Sequence, residues 1–255
     1  MYERFAEYYD RWMQDANAPQ WAAYLLDLFA LHGKGDALRI LDVACGTGNI
    51  SIPLAQAGHR VVGVDISEDM LEIAQEKTRL AGLAIPYLCQ DMLELDVDAS
   101  FDIINCSCDG INYLIENDAP YAFFMRAAEM LKADGLLCFD ISSAHKLIDR
   151  LDGHCFAQED EEAMYVWQNA YDIETNLLDM YVTFFVRQDH GLYERFEETH
   201  IQRVYEISEL IECLQNADFD VLGVYGDFTK EAPTETNDRI FFVARPSETI
   251  NEMKQ

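Results

Sequence analysis

From Leu38 to Ile141 the chain alternates short apolar runs with longer stretches of helical period, the pattern of a βαβ series that builds a parallel sheet. Leu38-Arg39-Ile40-Leu41-Asp42-Val43 predicts a buried first strand, followed by a glycine turn and a short helix through Pro53, Leu54 and Ala55 that ends near Gly58. Arg60-Val61-Val62-Gly63-Val64-Asp65 predicts the second strand. Ser67 is placed to cap the next helix, where Met70, Leu71 and Ala74 form the apolar stripe. Ala84 to Cys89 predicts a third strand and Phe101 to Cys106 a fourth. A helix carrying Ala122, Phe123, Met125 and Met130 precedes Gly135, and Leu136 to Ile141 predicts a fifth strand.

The pattern then changes. Between about His145 and Tyr205 aromatic and β-branched residues dominate and little helical period remains. Ala163 to Tyr171, Leu177 to Val186 and Tyr193 to Tyr205 predict long strands, joined through Thr175-Asn176 and Asp189-His190-Gly191, which suit turns between antiparallel neighbours. Helix and sheet resume with Ser208 as a candidate cap, Leu210, Ile211 and Leu214 on one face, and strands over Phe219 to Tyr225 and Arg239 to Ala244. The expectation is an α/β core of residues 1–144 and 206–255, interrupted by an antiparallel β-meander over 145–205.

Composition narrows the function classes. The 255 residues carry 18 Lys and Arg against 47 Asp and Glu, a formal net charge of −29. That balance disfavours nucleic acid, whose binding rests on neutralised phosphates, and anionic membrane surfaces. No apolar run is long enough for a membrane span. Met1-Tyr2-Glu3-Arg4-Phe5 has neither the basic start nor the apolar core of a secretory signal, so a cytoplasmic location is expected. The seven Cys are an odd number and read as reduced thiols. Cys106-Ser107-Cys108 lacks the spacing of a zinc or redox pair, and no metal is expected.

The chemistry concentrates in Leu41-Asp42-Val43-Ala44-Cys45-Gly46-Thr47-Gly48-Asn49. A glycine turn between strand and helix lets a ligand approach the backbone, with the helix N-terminus behind it. Asp65 closes the second strand 17 residues after Gly48, where nucleotide-binding βαβ units accept hydrogen bonds from ribose hydroxyls. Each feature alone has a bland reading, a tight turn or a solvated carboxylate; together they point to a nucleoside ligand. No third glycine completes Gly-x-Gly-x-x-Gly, which weakens a nicotinamide-dependent oxidoreductase, and no Gly-Lys-Ser/Thr occurs. A ligand without pyrophosphate is favoured.

Asp42-Val43-Ala44-Cys45-Gly46-Thr47-Gly48, then Val64-Asp65-Ile66-Ser67, then Gln90-Asp91-Met92, resembles the class I S-adenosylmethionine-dependent methyltransferases, most closely their bacterial small-molecule branch. Where the family usually has glycine, Ala44 stands, as this branch commonly allows. The resemblance implies a Rossmann-like seven-stranded sheet of order 3-2-1-4-5-7-6, its seventh strand antiparallel, with helices on both faces. It implies S-adenosylmethionine as cofactor and a set of cofactor contacts. Asp42 would brace the turn and help position the methionine amino group, and Ala44 and Gly46 would offer backbone to the methionine part. Asp65 would take the ribose hydroxyls and Ile66 would pack on adenine. Asp91 would accept from the adenine amino group, with Met92 beside the ring, and Cys106 would supply a backbone carbonyl. An N-terminal aromatic lid is also implied, for which Tyr2, Phe5, Tyr8, Tyr9 and Trp12 are candidates and Tyr9 the one assigned a direct role; core packing of an amphipathic helix explains them equally. Trp21 reads as core.

On the acceptor side the resemblance points to Ser107-Cys108-Asp109-Gly110-Ile111-Asn112-Tyr113, with Asp109 to hold a cationic amine or take its proton and Asn112 or Tyr113 to orient it. A polar loop capping the next helix is the plain alternative. The inserted meander would roof a small-molecule acceptor through Tyr165, Trp167, Tyr171 and Tyr181; similar insertions also mediate dimers, so a homodimer is the expected assembly if there is one. His145, His154, His190 and His200 are weaker candidates. No Ser/His/Asp or Cys/His grouping stands out, which fits transfer governed by proximity. The expected activity is methyl transfer to nitrogen or oxygen, the nitrogen slightly ahead. A non-catalytic nucleoside-binding protein on the same fold is the principal alternative.

Overall fold

A computed structural model describes Asp10 and residues 17–247. Helix α1 (Ala18–Leu31) leads to β1 (Arg39–Val43), α2 (Ser51–Gln56), β2 (Arg60–Asp65), α3 (Glu68–Leu80), β3 (Tyr87–Cys89), β4 (Phe101–Cys106), α4 (Ala119–Met130) and β5 (Leu131–Ser142). A π-helix over His145–Leu151 opens the insertion, followed by β6 (Cys155–Glu159), β7 (Ala163–Asp172), β8 (Leu177–Arg187) and β9 (Tyr193–Arg203). Helix α5 (Ile207–Asn216), β10 (Phe219–Gly226) and β11 (Arg239–Pro246) complete the core.

The seven-stranded sheet runs β3-β2-β1-β4-β5-β11-β10, the 3-2-1-4-5-7-6 order with β11 antiparallel to both its neighbours. Successive residues of a strand face opposite sides, and β1 serves two cores. Leu41 and Val43 pack with Phe123, Phe124 and Phe242 under α4 and α5. Leu38 and Ile40 pack with Trp21, Leu25 and Phe29 of α1 and Leu54 of α2. Two faces buried at once explain why these strands read as continuous apolar runs rather than as alternations. Ser67 caps α3 by accepting from the Met70 amide at 3.3 Å, with acids in the first turn and Lys77 and Arg79 in the last. No helix among the described residues is long and apolar enough to cross a membrane.

Several boundaries differ from the sequence expectation. β3 starts at Tyr87, not Ala84, because Pro86 has no N–H to give to the ladder; only its carbonyl is used, by the Gly63 amide. Ser208 does not cap α5: the cap position is Glu206 and no side chain bonds there. β6 is an additional strand whose five residues are all exposed. The smaller sheet is antiparallel in the order β6-β7-β8-β9. One of its faces, with Leu178 and Met180, packs on Leu147 and Leu151 of the π-helix.

The insertion is tied to the loop after β4 by polar contacts. Asn112 Nδ2 donates to the carbonyls of Arg203 (2.9 Å) and Ser142 (3.2 Å), and Asn112 Oδ1 accepts from the Ser142 amide (2.9 Å). The Tyr205 hydroxyl donates to the Leu114 carbonyl, and the rings of Tyr113 and His200 meet edge to face.

Candidate functional site

The carboxyl ends of β1, β2 and β4 open on a cavity of about 550 Å³, within the range of small-molecule sites. Its position at the switch point of an open α/β sheet, between β1 and β4, is where such sheets bind ligands.

The glycine turn forms one wall. Ala44, Gly46 and Gly48 all have positive φ (53°, 51° and 76°), a region that costs an L-residue roughly 1–2 kcal/mol; this is the physical reason a glycine suits position 44. A Cβ on Gly48 would come within 2.7 Å of the Tyr87 hydroxyl, whereas one on Gly46 would meet nothing within 4 Å. The turn is therefore packed behind Gly48 and open at Gly46, on the cavity side. Asp10 Oδ1 accepts from Thr47 Oγ1 (2.6 Å) and Asn49 Nδ2 (2.8 Å), and its carboxylate pairs with Lys77 of α3 at 2.5 Å. Thr47 and Asn49 both border the cavity. Tyr9, like Tyr2, Phe5, Tyr8 and Trp12, lies outside the described residues.

Asp65 Oδ2 accepts the Gly46 amide at 2.8 Å and its Oδ1 the Ser67 amide at 2.9 Å. Burial raises its carboxyl above the ordinary value, against these backbone bonds. Each oxygen keeps acceptor capacity, and Asp65 borders the cavity. Next to it Ile66 is 61% exposed and borders the same space. Asp91 Oδ1 caps a 3-10 turn by accepting from the Leu93 amide at 2.9 Å, and Met92 lines the wall beside it.

Asp42 is fully buried. Ser51 Oγ donates to one of its oxygens and Asn105 Nδ2 to the other at 2.8 Å, while Asn105 Oδ1 accepts from Ser107 Oγ at 2.9 Å. Burial pushes the Asp42 carboxyl up to about 6; the Ser51 and Asn105 bonds oppose the rise and the charge of Asp65 adds to it. Ser107, expected in the acceptor-side loop, borders the cavity; Asn105 was missed from the sequence. A polar residue inside the apolar run Ile103-Ile104-Asn105-Cys106 was the available signal. Cys106 does not border the cavity. Its thiol lies under Gly110, where a Cβ would stand 2.7 Å from Cys106 Sγ and 3.1 Å from Ala44 Cβ, and burial raises its pKa strongly.

The structure gives Asp109 a different setting from the one expected. Its carboxylate does not border the cavity: Oδ1 pairs with Arg239 at 2.9 Å and Oδ2 accepts from Gln202 Nε2 of β9 at 2.7 Å. Arg239 also pairs with Asp140 of β5, and Asp140 accepts the amides of Cys108 (2.7 Å) and Asp109 (3.1 Å). Burial would raise the Asp109 carboxyl, but Arg239, Lys146 and the Gln202 bond outweigh it and hold it at about 2. Cys108 and Asp109 both adopt left-handed backbone, at φ 62° and 56°. Asp109 thus fixes the loop that carries Tyr113 instead of facing a ligand. On its other side Arg239 stacks over the Trp21 ring, 4.9 Å from the centroid. Trp21, expected as core, is both core and cavity wall.

Beyond Gly110 the cavity is bordered by Tyr113, Ile115 and Glu116 and by Thr199 and Ile201 of β9. Its carboxylates are Asp42, Asp65, Asp91 and Glu116, and among the described residues no Lys, Arg or His lines it. Such a wall suits hydroxyl and amino donors with an apolar ring, and repels a pyrophosphate. Adenosine joined to an amino-acid sulfonium fits this donor set, and the open face of Gly46 leaves room for it.

Comparisons with known proteins agree in kind. The model of a family described as "Methyltransferase domain" matches residues 40–135. A Geobacillus sp. (strain WCH70) protein is 42% identical over 96% of this chain and 99% of its own length. The Bacillus subtilis (strain 168) protein YqeM is 38% identical over 98% of this chain and 99% of its own. Both carry the name "Putative methyltransferase". The crystal structure of an S-adenosylmethionine-dependent methyltransferase from Clostridium acetobutylicum ATCC 824 superposes with a TM-score of 0.85 at 30% identity, covering 96% of this chain and 99% of that one.

Proposed function

The chain belongs to the class I S-adenosylmethionine-dependent methyltransferases, with S-adenosylmethionine as its cofactor, and on that premise we propose that it moves the methyl group by in-line displacement to a nitrogen or oxygen of a small-molecule acceptor. The observation that carries the assignment of the site is Asp65: a carboxylate oriented by two backbone amides, at the cavity wall, beside an exposed Ile66.

In this reading Asp65 accepts from the two ribose hydroxyls and Ile66 covers the adenine. Asp91 accepts from the adenine amino group with Met92 against the ring. Ala44 and Gly46, which border the cavity, present backbone to the methionine part. Asp42, held by Ser51 and Asn105, stiffens the junction of β1, α2 and β4 beneath it. When bound, S-adenosylmethionine would supply a methyl carbon made electrophilic by its sulfonium, and the chain would hold the acceptor's lone pair in line with that carbon and leave the acceptor's proton a path to water. The chain's task is then alignment and exclusion of water, which supply a large part of the rate when the reacting atoms are held in register. The loop after β4, fixed through Asp109 and Arg239, and the β9 edge form the acceptor side. The inserted sheet over 145–205 is assigned as a subdomain that covers it. A cavity of about 550 Å³ admits a cofactor and a small acceptor.

The test is calorimetric titration with S-adenosylhomocysteine, followed by incubation with donor labelled in the methyl group and an acceptor panel. Binding and label in the small-molecule fraction are expected. Absence of binding, or label appearing only in added nucleic acid or protein, overturns the proposal.

A further inference from the structure

The acceptor half of the cavity has a charge character that bears on what enters it. Tyr113, Ile115 and Ile201 give it an apolar lining, and Glu116 adds a carboxylate. Glu116 is exposed, and among the described residues its carboxylate meets no cation and no hydrogen-bond donor. The guanidinium behind this wall is neutralised already: Arg239 lies between Asp109 and Asp140. Arg203, at the end of β9, pairs with Glu209 at 2.6 Å. No described cation lines the space, so among the described residues an anionic acceptor would meet only like charge there. Asp65 and Asp91 deepen that negative potential, and the net charge of −29 extends it outward.

Resting on the assignment of this cavity as the methyl-transfer site, we propose that the acceptor is a small amine that enters as an ammonium paired with Glu116, its apolar body against Tyr113, Ile115 and Ile201, and that anionic acceptors are disfavoured. Glu116 stands at the exposed rim, so a proton shed by the ammonium reaches water there before the nitrogen lone pair can attack. Discrimination by one partly solvated carboxylate is modest, about tenfold between probes that differ only in charge.

Three probes with one apolar body separate the possibilities: phenethylamine, 2-phenylethanol and 3-phenylpropionate, each titrated calorimetrically into the full chain saturated with S-adenosylhomocysteine. Phenethylamine is expected to bind, the alcohol more weakly, and the carboxylate about tenfold more weakly than the amine or not at all. Glu116→Gln should remove most of the preference for the amine and leave S-adenosylhomocysteine affinity unchanged. Equal or tighter binding of the carboxylate, an amine preference that survives Glu116→Gln, or no binding of the amine to the saturated protein each overturns the proposal. Failure of S-adenosylhomocysteine itself to bind would instead strike the assignment of the cavity, so the two outcomes are separable.

Discussion

Asp65 accepts the backbone N–H of Gly46 at 2.8 Å, so the carboxylate ending β2 and the turn ending β1 form one hydrogen-bonded unit. A substitution there acts on the ligand and on the shape of the turn together. Hydrogen bonds to a charged acceptor are worth about 1.5–3 kcal/mol each, and two ribose hydroxyls are assigned to this one. Asp65→Ala is therefore expected to weaken S-adenosylhomocysteine binding by about a hundredfold or more, with the far-ultraviolet circular dichroism retained. Calorimetry checks it; an unchanged dissociation constant removes Asp65 from the site.

Asp42 gives a prediction in pH. Its folded-state carboxyl is raised by burial from 3.8 to about 6. The folded protein therefore holds this proton more tightly than the unfolded chain. The stability linked to Asp42 is present in acid and is lost as pH rises through about 6. Asp42→Asn keeps an acceptor for Asn105, and Ser51 can turn its hydroxyl to accept from the new amide. The urea midpoint of the variant relative to the native chain is expected to rise from about pH 5 to about pH 7 and then level off. A difference that does not change with pH would show that Asp42 ionises freely in the fold.

Glu116 and Asp109 show where the sequence was readable and where it was not. The parallel strands, the glycine turn, the Ser67 cap and the Asp65 position follow from local runs and short spacings. So does the sheet order, through the family resemblance. β6 carries no such signal: its five residues are exposed and its order comes from pairing with β7, as in Phe156 opposite Trp167. The setting of Asp109 depends on Arg239, far along the chain, and Arg239 reaches Asp140 across 99 positions. Asp140 and Asn105 did announce themselves as polar residues in apolar strands, but their partners could not be read locally. Glu116 looks like any acid in a polar loop until the fold brings β9 alongside it.

The paired charges around Arg239 make a prediction in stability. This one guanidinium serves the buried carboxylate of Asp140 and the half-buried one of Asp109. Arg239→Met strands both, and removing one member of a buried pair typically costs about 3–5 kcal/mol. For a chain of this size that lowers the melting temperature by roughly 6–20 °C. Without Arg239 the folded-state carboxyls rise above their unfolded values, so the deficit should narrow on acidification and widen toward neutral pH. Asp109→Asn removes a single carboxylate and leaves Arg239 paired with Asp140, so its cost should be smaller. Thermal melts of both variants across pH test the order, and a smaller loss for Arg239→Met than for Asp109→Asn would contradict it.

Ile66 separates ligand contacts from core contacts. Val43, which ends β1, is buried, whereas Ile66, just past β2, is 61% exposed and borders the cavity. Truncating it leaves little void in the folded chain, so Ile66→Ala should move the melting temperature of the ligand-free protein by no more than about 1–2 °C, in line with surface substitutions. Burying an aliphatic side chain of this size completely is worth about 1.5–3 kcal/mol. If adenine covers it, binding of S-adenosylhomocysteine should weaken by about tenfold or somewhat more. Adenosine should lose the same factor, because the contact lies on the part the two ligands share. Leu71, buried on α3, provides the contrast: Leu71→Ala should cost about 2–5 kcal/mol of stability and change the affinity of the folded fraction little. If Ile66→Ala binds adenosine as the native chain does, the adenine lies elsewhere in the cavity, and Asp91 loses its assigned partner with it.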